Sequence, residues 1–361
     1  MIKFIHTGDL HLGLQFNNVS FHKEKAMDRR RELWATFHRI VNYSKEREVD
    51  FLLIAGDLFE DAYFTLGDIK RVRDILAEAV NINILISAGN HDNLNTKSLY
   101  NRIEWSKNVH IFNSNGLDVV AYPELNTTVY GYSWDRVEFK DNSLFEQLPT
   151  IDENMSNILL LHGDLSKESN YLPISLNELE ALNMDYIALG HIHKPNLITD
   201  KIAYCGCPEP LDFGELGERG IIEGTIDNGT TKIEFLPFSM RSFHEVNIVV
   251  NENLGYLDII NKFRSLDKAN LLKDFYRIRL TGYIQQDMDL NNLYKDVENN
   301  FYHLELFNET APDYDLIALE ESNKDNIIGQ FIMTMKDKNL EDELVRDALY
   351  FGLEALLKGR C

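Results

Sequence analysis

The chain has 361 residues, 44% of them hydrophobic, and a formal net charge of −22. That length accommodates a full-sized catalytic domain and a smaller second one, while the charge argues against a broad basic face for nucleic acid. No apolar run approaches the ~20 residues of a membrane-spanning helix, no secretory signal precedes the first strand-like run, and Cys205, Cys207 and Cys361 make no disulfide framework, so a cytoplasmic protein is expected.

In chain order, Ile2–Ile5 reads as a buried strand that leads into Thr7-Gly8-Asp9-Leu10-His11. Leu12–Lys25 is polar and aromatic without a period and reads as a loop. Ala26–Glu48 carries Leu33, Phe37, Ile40 and Val41 at helical spacing and predicts an amphipathic crossover helix. The run Phe51–Ala55 ends at Gly56 and delivers Asp57. A helix over Leu66–Ala79 precedes the strand Ile82–Ser87, which leads into Gly89-Asn90-His91-Asp92. Ser98–Lys107 reads as a short helix. Val109–Phe112, Leu117–Tyr122 and Thr128–Tyr132 follow as strands without long helices between them, which predicts a second sheet packed on the first. Ile158–Leu161 leads into His162-Gly163-Asp164, and a helix at Leu176–Leu182 precedes Tyr186–Leu189, which leads into Gly190-His191-Ile192-His193.

From Ile198 the pattern is again β-rich: Ile202–Cys205, Gly220–Ile226 and Thr231–Leu236, with a turn at Asp227-Asn228-Gly229. The first domain is expected to close near residue 240. A β-α-β-α-β unit follows over residues 243–310: strand Phe243–Val250, helix Leu257–Leu266, strand Phe275–Tyr283, helix Leu290–Asn299 and strand Phe301–Leu306. Pro312–Asp315 reads as a linker, opening a tail over residues 311–361 with two apolar-striped helices across Asn326–Lys358. Two readings of those helices stand: packing on the second domain, or docking of a partner.

Five apolar runs therefore deliver metal-type side chains at their C-terminal ends, the position where open α/β sheets bind ligands. The candidate ligands are Asp9, His11, Asp57, Asn90, His162, His191 and His193. Asp9 and His11, like His191 and His193, stand two apart on loops leaving strands. Asp57 stands alone and is the natural bridging carboxylate. Oxygen and nitrogen donors without thiolate suit Mn²⁺, Fe²⁺ or Zn²⁺. Two such ions beside two carboxylates leave about two positive charges, which invites a phosphate, and ions ~3.5–4 Å apart lower the pKa of a shared water. His91 is the candidate to protonate a leaving oxygen or to stabilise the transition state, with Asp92 placed to fix its ring. His6, His22, His38, His110, His244 and His303 lack such contexts, and Cys205-Gly206-Cys207 reads as structural.

The motifs Asp9-Leu10-His11, Gly56-Asp57, Gly89-Asn90-His91-Asp92, His162-Gly163 and Gly190-His191-Ile192-His193 resemble the signature of the calcineurin-like metallophosphoesterases over roughly residues 1–240. Within them, His6–Gly13, the helix start Arg29–Trp34, Ala55–Phe59 and the Tyr204–Gly220 segment resemble the DNA double-strand-break nucleases of the SbcD and YhaO types. That resemblance implies an α/β fold, a four-layer α-β-β-α sandwich with a small α/β capping domain and a helical tail. It implies two Mn²⁺ ions, one held by Asp9, His11, Asp57 and His193, the other by Asp57, Asn90, His162 and His191, with His91 catalytic and Asp92 supporting it. It further implies 3′→5′ exonuclease and single-strand endonuclease activity in DNA repair, and an SbcC-like coiled-coil ATPase docking on helices after the cap. A family-type homodimer through Leu66–Ala79 and Ser98–Lys107 belongs to the same picture. The chain departs from the archaeal and eukaryotic members at Glu60, where they carry a histidine. The competing readings are a phosphodiesterase for a small nucleotide or lipid-linked ester, and a non-catalytic scaffold, which should have lost ligands that this chain keeps.

Overall fold

Side chains along a strand alternate between faces, so a run that is apolar at every position is buried on both. β2 (Phe51–Ala55) is such a run, and in the computed structural model all five of its residues are buried. The structure describes residues 1–17, 23–140, 143–145, 151–166, 168–251, 253–266, 268–285, 288–340 and 342–358. They form two compact units, Met1–Phe243 and His244–Cys361.

In the first unit, β1 (Ile2–Thr7), β2, β3 (Asn83–Ser87) and β4 (Val109–Ile111) run parallel, linked through α1 (Lys23–Glu46) and α2 (Leu66–Ala77). β5 (Asp118–Tyr122), β6 (Thr127–Gly131), β7 (Ser156–His162), β8 (Tyr186–Gly190), β9 (Asn196–Leu197) and β10 (Ile202–Tyr204) form a second sheet, with α3 (Leu176–Ala181) between β7 and β8. β11 (Gly220–Asp227) and β12 (Thr230–Pro237) return to the first sheet as a hairpin. Its turn residues Asn228 and Gly229 both have positive φ, 50° and 76°, the backbone that a two-residue hairpin requires. The orders are β12-β11-β1-β2-β3-β4 and β5-β6-β7-β8-β10-β9.

The alternation along β2 sorts its side chains into two cores. Phe51 and Leu53 join Phe4, Leu85, Ile158, Leu160 and Tyr186 in the layer between the sheets. Leu52 and Ile54 join Leu33, Phe37 and Ile40 of α1 and Ile69, Val72 and Leu76 of α2 on the outer face. Across the molecule, Leu159, Leu161, Ile187 and Leu189 pack with Leu179 of α3. The result is the four-layer α-β-β-α sandwich, with each fully buried large apolar side chain contributing about 1.5–3 kcal/mol. Among the described residues no helix is long and apolar enough to cross a membrane.

The second unit contains β13 (Phe243–Val250), α4 (Tyr256–Arg264), β14 (Phe275–Gln285), α5 (Leu290–Glu298) and β15 (His303–Asp313). Its sheet has the order β13-β14-β15, with α4 and α5 packed through Ile259, Ile260, Phe263, Leu293 and Val297. Three helices follow: α6 (Leu316–Ser322), α7 (Ile327–Lys336) and α8 (Glu343–Lys358). They share a core of Ile328, Ile332, Leu349, Tyr350 and Leu353 that includes Tyr283 of β14 and Ala311 of β15.

Several boundaries differ from the sequence reading. Pro312–Asp315 is not a linker: β15, an edge strand, where proline is tolerated, stays in register with β14 to the pair Gln285 and Asp313. α6 was not expected; Asp315 caps it by accepting from the Ile317 and Ala318 amides. Ser98–Lys107 forms only a single 3₁₀ turn, Leu99–Arg102. The indole N–H of Trp105 donates to the Tyr100 carbonyl at 3.0 Å, occupying an acceptor that a continuing α-helix would use. The dimer helix expected there is therefore not formed. The helix expected from Ala26 begins at Lys23. Residues 18–22, His22 among them, and Cys361 lie outside the described residues.

Candidate metal centre

β1 and β2 are parallel neighbours, so the loops leaving their C-terminal ends run side by side. Asp9 N–H donates to the Gly56 carbonyl and His11 N–H to the Asp57 carbonyl, each at 3.0 Å. Turning both side chains toward one point forces the backbone into the left-handed region at Asp9 (φ 47°), His11 (46°) and Asp57 (49°), and again at His191 (96°). Non-glycine residues pay for that conformation, and such strain concentrates at functional sites. Glycine is required where the loops close most tightly: a Cβ at Gly56 would lie 2.3 Å from His162 Nδ1, and one at Gly89 would lie 2.3 Å from Asp57 Oδ1.

The seven expected ligands converge unequally. Asp9, His11 and His193 place donor atoms within 4.8 Å of one another, as do Asp9, Asp57 and His162. Asp57 Oδ2 lies 3.9 Å from His11 Nε2 and 3.4 Å from His162 Nε2, between the two groups where a bridging carboxylate belongs. His162 Nε2 is 3.0 Å from Asn90 Oδ1. His191 donates its backbone N–H to the Asp9 carboxylate, while its ring packs against His162 and Tyr171 with centroids 5.2 and 4.7 Å apart.

The imidazole protons test whether this arrangement fits cations. His162 Nδ1–H donates to the Ala55 carbonyl at 2.9 Å. His11 Nδ1–H donates to Glu60 Oε1 at 2.7 Å, and His193 Nδ1–H to Glu215 Oε1 at 2.5 Å. Each ring is thereby fixed in the tautomer whose Nε2 carries a lone pair, the arrangement that outer partners impose on metal-binding histidines. His11 Nε2 and His193 Nε2 then face each other at 3.0 Å. Two lone pairs at that distance repel unless a proton or a cation lies between them, so these side chains fit divalent ions.

Without metal, protons carry part of that positive charge. Burial alone would lower the His162 pKa, but the charges of Asp57 and Asp9 outweigh it and raise it to about 9. His193 is raised to about 9 in the same way, its burial outweighed by Glu215 and Asp9. Asp57 is held well below its ordinary range: burial opposes this, but the positive rings around it prevail. Burial and the charge of His162 push His191 down to about 4.

Glu60 is the partner that the sequence reading missed. Its second oxygen accepts from His91 Nδ1–H at 2.9 Å, so one carboxylate holds both His11 and His91. Burial would raise its pKa, but those two rings lower it to about 2. The hydrogen bond that His91 donates to Glu60 is the main cause of the raised pKa of His91. Asp92, expected to orient His91, instead accepts from the Gly89 amide (2.7 Å), the Leu58 amide (2.8 Å) and the Tyr100 hydroxyl (2.7 Å). Those bonds clamp the 57–60 and 89–92 loops together, and burial, reinforced by the charge of Asp57, raises its pKa to about 6. Glu215 was also missed as a partner. It lies 22 residues from His193, and its other oxygen accepts from the buried Cys207 thiol at 3.2 Å. Trp134 donates to the His162 carbonyl at 2.7 Å. His6 is an ordinary core histidine bonded to Tyr186, its pKa lowered to about 3 by burial.

Paired sheets whose strand ends converge on a cluster of carboxylates and imidazoles make the framework of a metal centre. Residues 2–195 match the family described as calcineurin-like phosphoesterase. The chain is 31% identical over 253 residues to the uncharacterized metallophosphoesterase YhaO of Bacillus subtilis (strain 168), a match covering 65% of this chain and 60% of that protein. A solved dimetal phosphatase from Danio rerio superposes with a TM-score of 0.36 at 10% identity, over 63% of this chain and 93% of that one. The chain belongs to the calcineurin-like phosphoesterase family.

Because His162 and His193 hold protons up to about pH 9 in the metal-free protein, a divalent ion must displace them. Affinity for Mn²⁺ or Zn²⁺ is expected to rise with pH between 6 and ~9, by up to about tenfold per unit for each proton released. Calorimetric titration in buffers of different ionisation enthalpy measures that release; affinity independent of pH and buffer would contradict the proton assignment.

Proposed function

We propose that this phosphoester hydrolase is a cytoplasmic, Mn²⁺-dependent exonuclease that shortens DNA from its 3′ ends, also cuts single strands internally, and serves DNA repair beside a coiled-coil ATPase. The observation that carries the reading is the second unit. Its three terminal helices leave Ile317, Ile327, Met333, Leu344 and Phe351 exposed, apolar side chains with little use in an enzyme for small esters, and Leu344 and Phe351, seven apart on α8, share a face suited to a partner helix. The oxygen and nitrogen donors of the centre are compatible with Mn²⁺.

Bound divalent ions would supply Lewis acidity toward a phosphoryl oxygen and lower the pKa of a water. Asp9, His11, Asp57 and His193 would hold one ion, and Asp57, Asn90, His162 and His191 the other. His91 does the remaining work. Its Nδ1 is engaged by Glu60 and its ring packs edge-on to His11, centroids 4.8 Å apart, with its side chain 43% exposed. That leaves Nε2–H to donate to the leaving oxygen as the phosphodiester opens. Glu60 stabilises the protonated ring and ties the proton donor to a metal ligand. The overall charge of −22 favours a second reading, a phosphodiesterase for a small nucleotide or lipid-linked ester.

End-labelled duplex DNA with Mn²⁺ separates the two readings. Stepwise loss from the 3′ end is expected, abolished in Asp57→Asn and slowed about 10²–10⁴-fold in His91→Ala with metal content retained. Intact DNA alongside rapid cleavage of an aryl phosphodiester would turn the assignment to the small-ester reading. For the partner, Leu344→Glu with Phe351→Glu is expected to abolish capture of the coiled-coil ATPase while DNA hydrolysis persists. Undiminished capture would remove these helices from the interface.

A further inference from the structure

A groove of about 530 Å³ runs between α1 and α2 and is lined by Arg30, Arg31, Trp34, His38, Arg71 and Ile75 together with Met27 and Ala35. In a chain with 58 acidic and 36 basic side chains, its lining contains three arginines, a histidine and no carboxylate. Three other surface grooves mix the two signs: one has Lys45 with Glu48, Asp50 and Glu78, one Lys201 with Glu180 and Asp200, and one Lys295 with Asp289 and Asp296.

Two of the three arginines, Arg71 and Arg30, are held in place without a carboxylate partner. Arg71 lies over the Trp34 ring, its Cζ 4.1 Å from the centroid, which fixes the guanidinium plane and leaves its N–H edge open. Arg30 donates to the side-chain oxygen of Gln15. Arg31 has only an exposed i,i+3 contact with Asp28 at 3.0 Å, worth little in water. Among the described residues, no carboxylate lies within salt-bridge distance of Arg30 or Arg71. Fixed guanidinium forks with unused donors suit phosphate oxygens.

The groove is joined to the metal centre by two routes. Trp34 stacks on Phe64 (centroids 5.8 Å apart, planes at 8°) and Phe64 on Phe59 (4.6 Å, 12°), the residue preceding Glu60. Gln15, which holds Arg30, lies four residues after His11 and also donates to the Gly13 carbonyl at 2.7 Å.

We propose that the α1–α2 groove binds the sugar–phosphate backbone of the nucleic-acid strand whose phosphodiester is cut at the metal centre, with Arg30, Arg31 and Arg71 as the phosphate contacts. This rests on the nuclease reading above. It accounts for polyanion binding by so acidic a chain: the local field of the groove, not the net charge, meets the strand. A lipid surface is disfavoured because the groove adjoins the loops of a phosphodiester-cleaving centre.

The test is fluorescence anisotropy of a dye-labelled DNA oligonucleotide with the full chain in EDTA, across a salt series, for the native protein, R31Q/R71Q and R31K/R71K. Two lost phosphate contacts should weaken binding roughly tenfold and flatten the slope of log K against log salt by about 1.4–1.8. R31K/R71K, which retains the charge, should keep most of the slope, and circular dichroism checks that both variants fold. Unchanged affinity and slope in R31Q/R71Q, with native DNA degradation intact, would overturn the groove and leave the nuclease reading standing. A native chain that neither binds nor degrades DNA would overturn that reading and the groove with it, as would binding of anionic vesicles in place of DNA. Loss of binding in R31K/R71K equal to that in R31Q/R71Q would show that the positive charge is not what the groove supplies.

Discussion

Three imidazole nitrogens converge on the carboxylates Asp9 and Asp57 because the opposite nitrogen of each ring is tied elsewhere. Glu60 accepts a hydrogen bond from His11 Nδ1–H, Glu215 one from His193 Nδ1–H, and the Ala55 carbonyl one from His162 Nδ1–H. A histidine free to choose its tautomer would turn an N–H toward Asp57 and satisfy itself. Held as they are, the Nε2 lone pairs have no protein donor to meet, and only protons or cations resolve the arrangement. The raised pKa values of His162 and His193 in the metal-free protein and the expected affinity for divalent ions are two expressions of that constraint.

The scaffold holds the constraint at little entropic cost. Three parallel strands, β1, β2 and β3, almost wholly buried on both faces, end at the same edge, so the loops carrying Asp9, Asp57 and Asn90 are neighbours before any side chain meets another. Asp92, through two backbone amides and Tyr100, fastens two of those loops. Glu60 then couples His11 to His91: a displacement of His11 is felt at His91 through a single carboxylate. The stack that follows, Phe59, Phe64 and Trp34, extends the same rigid unit to the arginine groove.

Much of this was legible in the sequence because parallel strands buried on both faces read as continuous apolar runs, and each run ended at a chemically distinctive residue. The pairing of sheets was legible from the strands after Val109, which lack long intervening helices. The partners of the histidines were harder to read. Glu60 stood out only as a departure from a related pattern, and adjacency suggested Asp92 for a role that the fold gives to Glu60, since the turn at Gly89–Asp92 points the Asp92 carboxylate back into the protein. Glu215 is brought to His193 by a loop whose path no local periodicity records. At the far end, Asp315 carries a legible capping signal for α6, but Pro312 before it disguised an edge strand as a linker.

The central claim is that these oriented nitrogens and the bridging Asp57 make a two-ion centre. Electron paramagnetic resonance of the full chain titrated with Mn²⁺ addresses it most directly. The account predicts two ions bound per chain with a spin-coupled signal, and loss of the coupling in Asp57→Asn. One uncoupled ion per chain, or coupling that survives in Asp57→Asn, would contradict it.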